Sequence, residues 1–184
     1  IILSNSKYEK KAPNNFQSFL KKLPLKVEKI TNKGKLIYWC LEGNNFMINH
    51  LIMTGYWSEN KSNYASLKFE FTNEQTLYFC DARKFGFVEF LTKKELNIKL
   101  HSLGPDFLNN PEFDLQLFKI ILKRHQRSNI STVLMNQRII SGIGNYLKSE
   151  ILYSAGINPH RSVASLNENE IENIFKEGKR IIKA

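Results

Sequence analysis

Cysteine is scarce in this chain, two among 184 residues, and that excludes a disulfide-stapled fold. Cys40 and Cys80 both fall in strand-like runs, form no Cys-x-x-Cys pair and have no histidine at metal-ligand spacing. They are expected as packed core thiols. Long apolar runs are lacking too, none approaching a membrane span, although a hydrophobic content of 42% suffices for a globular core. The start has none of the basic, apolar and small-residue regions of a secretory signal, and neither an internal repeat nor a low-complexity tract is present. Acidic residues are outnumbered, 17 against 27 Lys and Arg, for a formal net charge of +10. A solvated lysine-rich surface accounts for that balance, and so does a polyanion whose phosphates the cations neutralise. Composition does not choose between them.

What is present falls into two halves. Ile1–Leu3 reads as the end of a strand, and residues 4–22 as a loop with a short helix carrying Phe16, Phe19 and Leu20. Strands follow: Val27 and Ile30 before a Thr-Asn-Lys-Gly turn, Lys35–Leu41, a Gly43-Asn44-Asn45 turn, Phe46–Leu51, and Met53–Trp57. A hairpin alternates Leu67, Phe69 and Phe71 against Leu77 and Phe79, and Phe85, Phe87, Val88 and Phe90 close the series. Short strands with tight turns predict an antiparallel sandwich or barrel. After Phe90 the period changes. Lys93–Leu100 reads as a short helix, Leu103-Gly104-Pro105-Asp106 as a breaker, and Leu115–His125 as a helix with Leu115, Phe118, Ile121 and Leu122 on one stripe. Asn167-Glu168-Asn169-Glu170 has the form of a capping box leading a helix with Ile171, Ile174, Phe175, Ile181 and Ile182 inward.

The chain is organised around Ser131–Arg161. Val133, Leu134, Ile139 and Ile140 have helix-like spacing, a Ser-Gly-Ile-Gly turn follows, and a second helix begins at Asn145. Its Leu147, Ile151 and Leu152 share a face, and Gly156 with Pro159 beyond ends it. A Gly-X-Gly-Asn turn at a helix N-terminus presents free N–H groups and an amide suited to a phosphate.

This string resembles the helix–two-turn–helix of the formamidopyrimidine-DNA glycosylase / endonuclease VIII family of base-excision repair enzymes. The matching positions are Leu134, Asn136, Gln137, Gly142, Ile143, Gly144, Asn145, Glu150, Ile151, Leu152, Ala155, Gly156, Ile157 and Pro159. The first half is similar to the family in three further places: Asn49-His50-Leu51-Ile52-Met53-Thr54-Gly55, Asp81-Ala82-Arg83-Lys84-Phe85-Gly86 and Leu103-Gly104-Pro105-Asp106. The implied fold is α+β in two domains. An N-terminal antiparallel β-sandwich (residues 1–95) leads through a linker (96–112) to an all-helical helix–two-turn–helix domain (113–184).

The resemblance also implies roles. An enzyme that acts on a base must flip it out of the stack. Met53, Arg83 and Phe85 would fill the gap and pair the orphaned base, where Met53 or Phe85 alone would read as a core residue. His50 lies in a loop that faces DNA in the family. Gly34-Lys35 matches a lysine that reaches the phosphates near the lesion and supports catalysis. Gly144 and Asn145 would hold the DNA backbone, with Lys148 adding a phosphate contact or remaining a solvated lysine. Glu150 matches a family carboxylate near the nucleophilic amine, in competition with a plain helix-surface glutamate. Arg161 is left without a role.

In the family, an N-terminal proline attacks the sugar C1′ and forms a Schiff base, with a neighbouring glutamate handling protons. The chain starts at Ile1 with no Pro-Glu, so a missing leading segment is expected, and Pro13 is no substitute. The family's zinc finger or its zincless counterpart would lie beyond Ala184, so no cofactor and no metal site are expected within these residues. The remaining expectations are an intracellular monomer, with no membrane contact, acting on damaged double-stranded DNA or on single-stranded or bubble DNA. Oxidised pyrimidines are favoured because Tyr146-Leu147 follows Gly-Asn and no lysine stands at Ser131. The rival from another class is a non-catalytic damaged-DNA-binding protein that keeps the fold.

Overall fold

A computed structural model describes residues 1–3, 8 and 11–183; part of the 4–22 loop reading, and Ala184, lie outside them. Among the described residues the first half is built of strands β1 (Ile2–Leu3), β2 (Val27–Lys33), β3 (Leu36–Leu41), β4 (Asn45–His50), β5 (Gly55–Ser58), β6 (Ala65–Glu70), β7 (Thr76–Asp81) and β8 (Phe87–Thr92), with a short helix α1 (Phe16–Leu20). They form two antiparallel sheets, ordered β1-β6-β7-β5 and β2-β3-β4-β8. Alternation decides the register. Trp39 and Leu41, Leu67 and Phe69, Phe79, and Val88 and Phe90 are all buried in one cluster with Phe16, Phe19 and Met47. Successive strand side chains point to opposite faces, so each such pair sends its apolar members inward together. Tyr8 joins this core; its hydroxyl accepts the Val88 N–H at 2.7 Å, and burial pushes its pKa up to about 12. Cys80 is fully buried and Cys40 half-buried, both as free thiols.

The second half is helical: α2 (Lys93–His101), α3 (Leu115–Arg124), α4 (Ile130–Met135), α5 (Asn145–Ser154) and α6 (Glu168–Lys183). Its core gathers Phe107, Phe113, Phe118, Leu122, Ile130, Leu134, Ile140, Ile143, Ile151 and Ile174. Each fully buried Phe or Ile contributes roughly 2 kcal/mol. The capping box at Asn167 is formed in both directions: the Glu170 N–H donates to Asn167 Oδ1 and the Asn167 N–H to Glu170 Oε2, each at 2.9 Å. Gly156 ends α5 at φ +69.

Two expectations are corrected. The helix-like spacing over Ser131–Ile140 is only partly helix. α4 stops at Met135, Asn136 turns extended, and Ile139 and Ile140 reach the core from the turn that follows, where three-residue spacing looks the same. The Thr31-Asn32 segment is strand rather than turn, β2 continuing to Lys33.

The chain divides into two compact units. One holds residues 1–32 and 36–98, the other residues 33–35 and 99–184, so the tip of the β2–β3 hairpin groups with the helices. No helix among the described residues is long and apolar enough to cross a membrane.

Candidate functional site

In the helical unit, Gln137 shapes the turn between α4 and α5. Its amide nitrogen donates to the carbonyls of Met135 (3.0 Å) and Ile143 (2.8 Å), while its oxygen accepts the Gly142 N–H at 3.0 Å. With its own polar groups satisfied this way, the turn delivers Gly144 as the N-cap of α5, in extended conformation and with no side-chain cap. The first turn of that helix therefore presents backbone N–H groups that have no intrahelical acceptor. Lys148 Nζ sits on Asn145 Oδ1 at 2.8 Å. An open groove beside them is lined by Ser131, Thr132, Met135, Asn136 and Lys148.

Lys35 is brought to the same place. A methyl group built on Gly144 would lie 3.6 Å from Lys35 Nζ, so the ammonium stands over the helix N-terminus. What holds it there is Asp106, a buried carboxylate that accepts the Gly34 N–H at 2.7 Å and the Leu108 N–H at 2.9 Å. Gly34 has φ +55, and a Cβ on it would fall 2.8 Å from the Gly142 nitrogen, so only glycine lets the hairpin tip seat this closely. Lys33 anchors the other side of the tip, its Nζ donating to the carbonyls of Leu100 (2.8 Å) and Leu103 (3.1 Å) at the end of α2. Burial pushes the Lys35 pKa below its ordinary value, because desolvation disfavours the charged ammonium. An anion at this helix end would meet Lys35 and the first turn of α5. Glu150, by contrast, is exposed on α5.

In the sandwich unit, the three predicted wedge residues come together. Met53 and Phe85 are 70% and 56% exposed; Arg83 Nη1 lies 3.3 Å from Met53 Sδ, and its guanidinium stacks 4.9 Å over the Phe85 ring. They sit on two loops tied by Asp81, which is 1% exposed. Its carboxylate accepts the Thr54 hydroxyl, the Arg83 N–H at 3.1 Å and the Gly86 N–H at 2.6 Å. Burial alone would raise the Asp81 pKa, but these donors outweigh it and hold the carboxyl below its usual value. His50 shapes the same loop: Nδ1 accepts the Ile52 N–H at 3.1 Å and the ring stacks on Phe87.

Asp81, Thr54, Asp106 and Gln137 all lie inside motifs quoted from the sequence, yet none carried a role there, since a carboxylate that ties two loops shows itself only through its partners. Lys33 gave no signal at all. Arg161 now has one: its guanidinium forks onto Glu170 and donates to the Ser165 carbonyl, bracing the cap of α6. No group of three His, Cys, Asp or Glu side chains that could hold a metal gathers among the described residues.

The family model for the formamidopyrimidine-DNA glycosylase N-terminal domain matches residues 2–88, and that for the glycosylase H2TH domain matches residues 103–184. The chain is 29% identical over 181 residues to the formamidopyrimidine-DNA glycosylase of Shouchella clausii, covering 94% of this chain and 64% of that protein. It is 34% identical over 158 residues to that of Carboxydothermus hydrogenoformans, covering 83% and 56%. The chain thus spans less than two thirds of these relatives. The crystal structure of MutM (Fpg) from Thermus thermophilus superposes with a TM-score of 0.77 at 27% identity, over 86% of this chain and 59% of the other. The Lactococcus lactis Fpg bound to DNA containing an AP site shares the fold with a TM-score of 0.82 at 24% identity, over 92% and 67%. With both halves matched in order, and a sandwich followed by a helix–two-turn–helix, the chain belongs to the formamidopyrimidine-DNA glycosylase family.

Proposed function

We propose that this chain carries the DNA-gripping and lesion-opening parts of a base-excision glycosylase with AP lyase activity. The observation that carries the reading is the Lys35 ammonium standing over the uncapped N-terminus of α5, on whose first turn Lys148 and Asn145 pair with one another. A DNA phosphate there would receive charge-assisted hydrogen bonds from a helix end and an ammonium together. Met53 and Phe85 would plug the stack that a flipped nucleotide vacates, with Arg83 meeting the orphaned base. His50 serves by shaping the Met53 loop.

The chemistry of such an enzyme is amine attack at C1′ with departure of the base, giving a protonated Schiff base. Loss of a C2′ proton then expels the 3′ phosphate, which is β-elimination, and δ-elimination can follow. Within this chain, Lys35 is the group assigned to support that sequence by neutralising the phosphate, and Glu150 is the carboxylate assigned to the neighbourhood of the amine. The substrates are oxidised bases, pyrimidines first, on the strength of Tyr146-Leu147 after Gly-Asn. The Lactococcus lactis Fpg has been crystallised with a FAPY-dG-containing DNA and with an oxidised-pyrimidine-containing DNA, so both classes belong in the assay.

The test is cyanoborohydride trapping on an abasic-site duplex, using the protein from its whole reading frame beside the 184-residue chain. A covalent adduct from the former supports the glycosylase/lyase reading. Salt-sensitive binding by both without any adduct would leave the non-catalytic damaged-DNA-binding protein instead.

A further inference from the structure

The two loops of the sandwich unit share a backbone feature that the wedge reading does not require. In each, the residue just before the exposed tip is a non-glycine residue in the left-handed region: Ile52 at φ +57 before Met53, and Lys84 at φ +59 before Phe85. For a lysine this is uncommon. For isoleucine it is an outlier, because a β-branched side chain crowds the neighbouring carbonyl in that conformation. Packing does not compensate: Ile52 is 48% exposed and belongs to neither hydrophobic core. Glycine or asparagine would satisfy the same backbone with little strain, and an exposed loop tip ordinarily carries a polar residue. The Ile52 N–H bond to His50 Nδ1 accounts for the turn itself, but a solvent-facing β-branched apolar side chain at a strained position gains nothing from either core among the described residues, the pattern expected where the return comes from a partner.

The surroundings narrow that partner. Ile52 adjoins Met53 in sequence and in exposure, and the loop tied to it by Asp81 presents Arg83, Lys84 and Phe85, all exposed. An apolar tip bordered by two cations matches stacked bases bordered by phosphates. We infer that Ile52 is a second insertion residue, entering the base stack of damaged DNA beside Met53. The inference rests on the DNA reading proposed above and extends it to a residue that reading leaves idle.

The experiment measures affinity of the 184-residue chain for a duplex containing a tetrahydrofuran abasic site, with 2-aminopurine as the adjacent base, and for the same duplex intact. Ile52→Asn and Ile52→Gly each remove the apolar surface while suiting a positive φ. Both are expected to weaken binding to the abasic duplex about tenfold and to reduce the 2-aminopurine signal of unstacking. Affinity for intact duplex should change less than about twofold, since phosphate contacts dominate it. The melting temperature should hold or rise by about 2 °C as strain is relieved. If Ile52→Gly lowers the melting temperature, Ile52→Asn carries the binding test. Unchanged abasic affinity in the variants, or a loss shared equally by intact duplex, would overturn the inference. Met53→Ala separates the two levels: a loss there but not at Ile52 overturns the Ile52 role alone, and no loss at either overturns the wedge reading as well.

Discussion

Two ionisable side chains tie local geometry to measurable pH behaviour, with opposite signs. Lys35 is a desolvated ammonium whose folded pKa lies below the ordinary lysine value. Its help to DNA binding requires the charged form, so it is present below the folded pKa and lost as pH rises through it, earlier than for an ordinary lysine near about 10.4. Affinity for duplex DNA should therefore fall on the alkaline side, and Lys35→Arg, which stays charged, should flatten that fall. Lys35→Ala should reduce the slope of log affinity against log salt by about one; a slope unchanged within error would remove Lys35 from the phosphate site. Asp81 runs the other way. Its folded pKa is held below the unfolded value, so its stabilisation is present above the ordinary carboxylate value and disappears as pH falls through the folded one. Asp81→Asn cannot accept all three donors, and urea unfolding at neutral pH should show a loss of about 2 kcal/mol. That gap should close on acidification, because the native carboxylate is then protonated too. A pH-independent difference would mean packing, not charge, explains the loss.

At the scale of elements, most boundaries were legible because each has a local cause. The Asn167 box forms since the side chains that satisfy the first N–H groups of α6 lie three residues apart in sequence. Asn167→Ala should cost about 1 kcal/mol, seen as a lower melting temperature, and Arg161→Ala should lower it in the same direction by freeing Glu170. If neither moves, the cap contributes nothing to α6. Where local spacing misled, the reason was also local. Ile139 and Ile140 continue the period of α4, yet the Gln137 amide draws the chain into a turn, and both residues reach the core without helix. Strand alternation, in contrast, placed Leu67, Phe69, Phe79 and Phe90 inside, with Phe71 and Leu77 partly buried against them.

For the whole molecule, the division that matters falls inside a hairpin. Residues 33–35 leave the sandwich unit and join the helical one, and Asp106 is the group that receives them. Asp106→Asn would replace an acceptor facing an N–H by a donor, or leave one side unmatched, and Lys35 would lose its fixed place over α5. In a double-mutant cycle on DNA affinity, Asp106→Asn should weaken binding in the parent chain and add little once Lys35 is Ala. Additive losses would show that Asp106 acts on the helical fold at large. Net charge behaves differently: +10 was plain from composition, but the place of one cation, Lys35, over a helix end was not.

The sequence by itself determined the family, the order of sandwich and helices, and the loops that bear Met53, Arg83 and Phe85, because each depends on residues close together in the chain. Only the tertiary structure decided which groups act through others. Asp81 tying two loops, Asp106 seating Lys35 over Gly144, and Ile52 held at positive φ are long-range or conformational facts. The first two rest on hydrogen bonds closed across tens of residues, Asp81 with Thr54 and Asp106 with Gly34, the third on a backbone angle, and no spacing of letters along a chain records either.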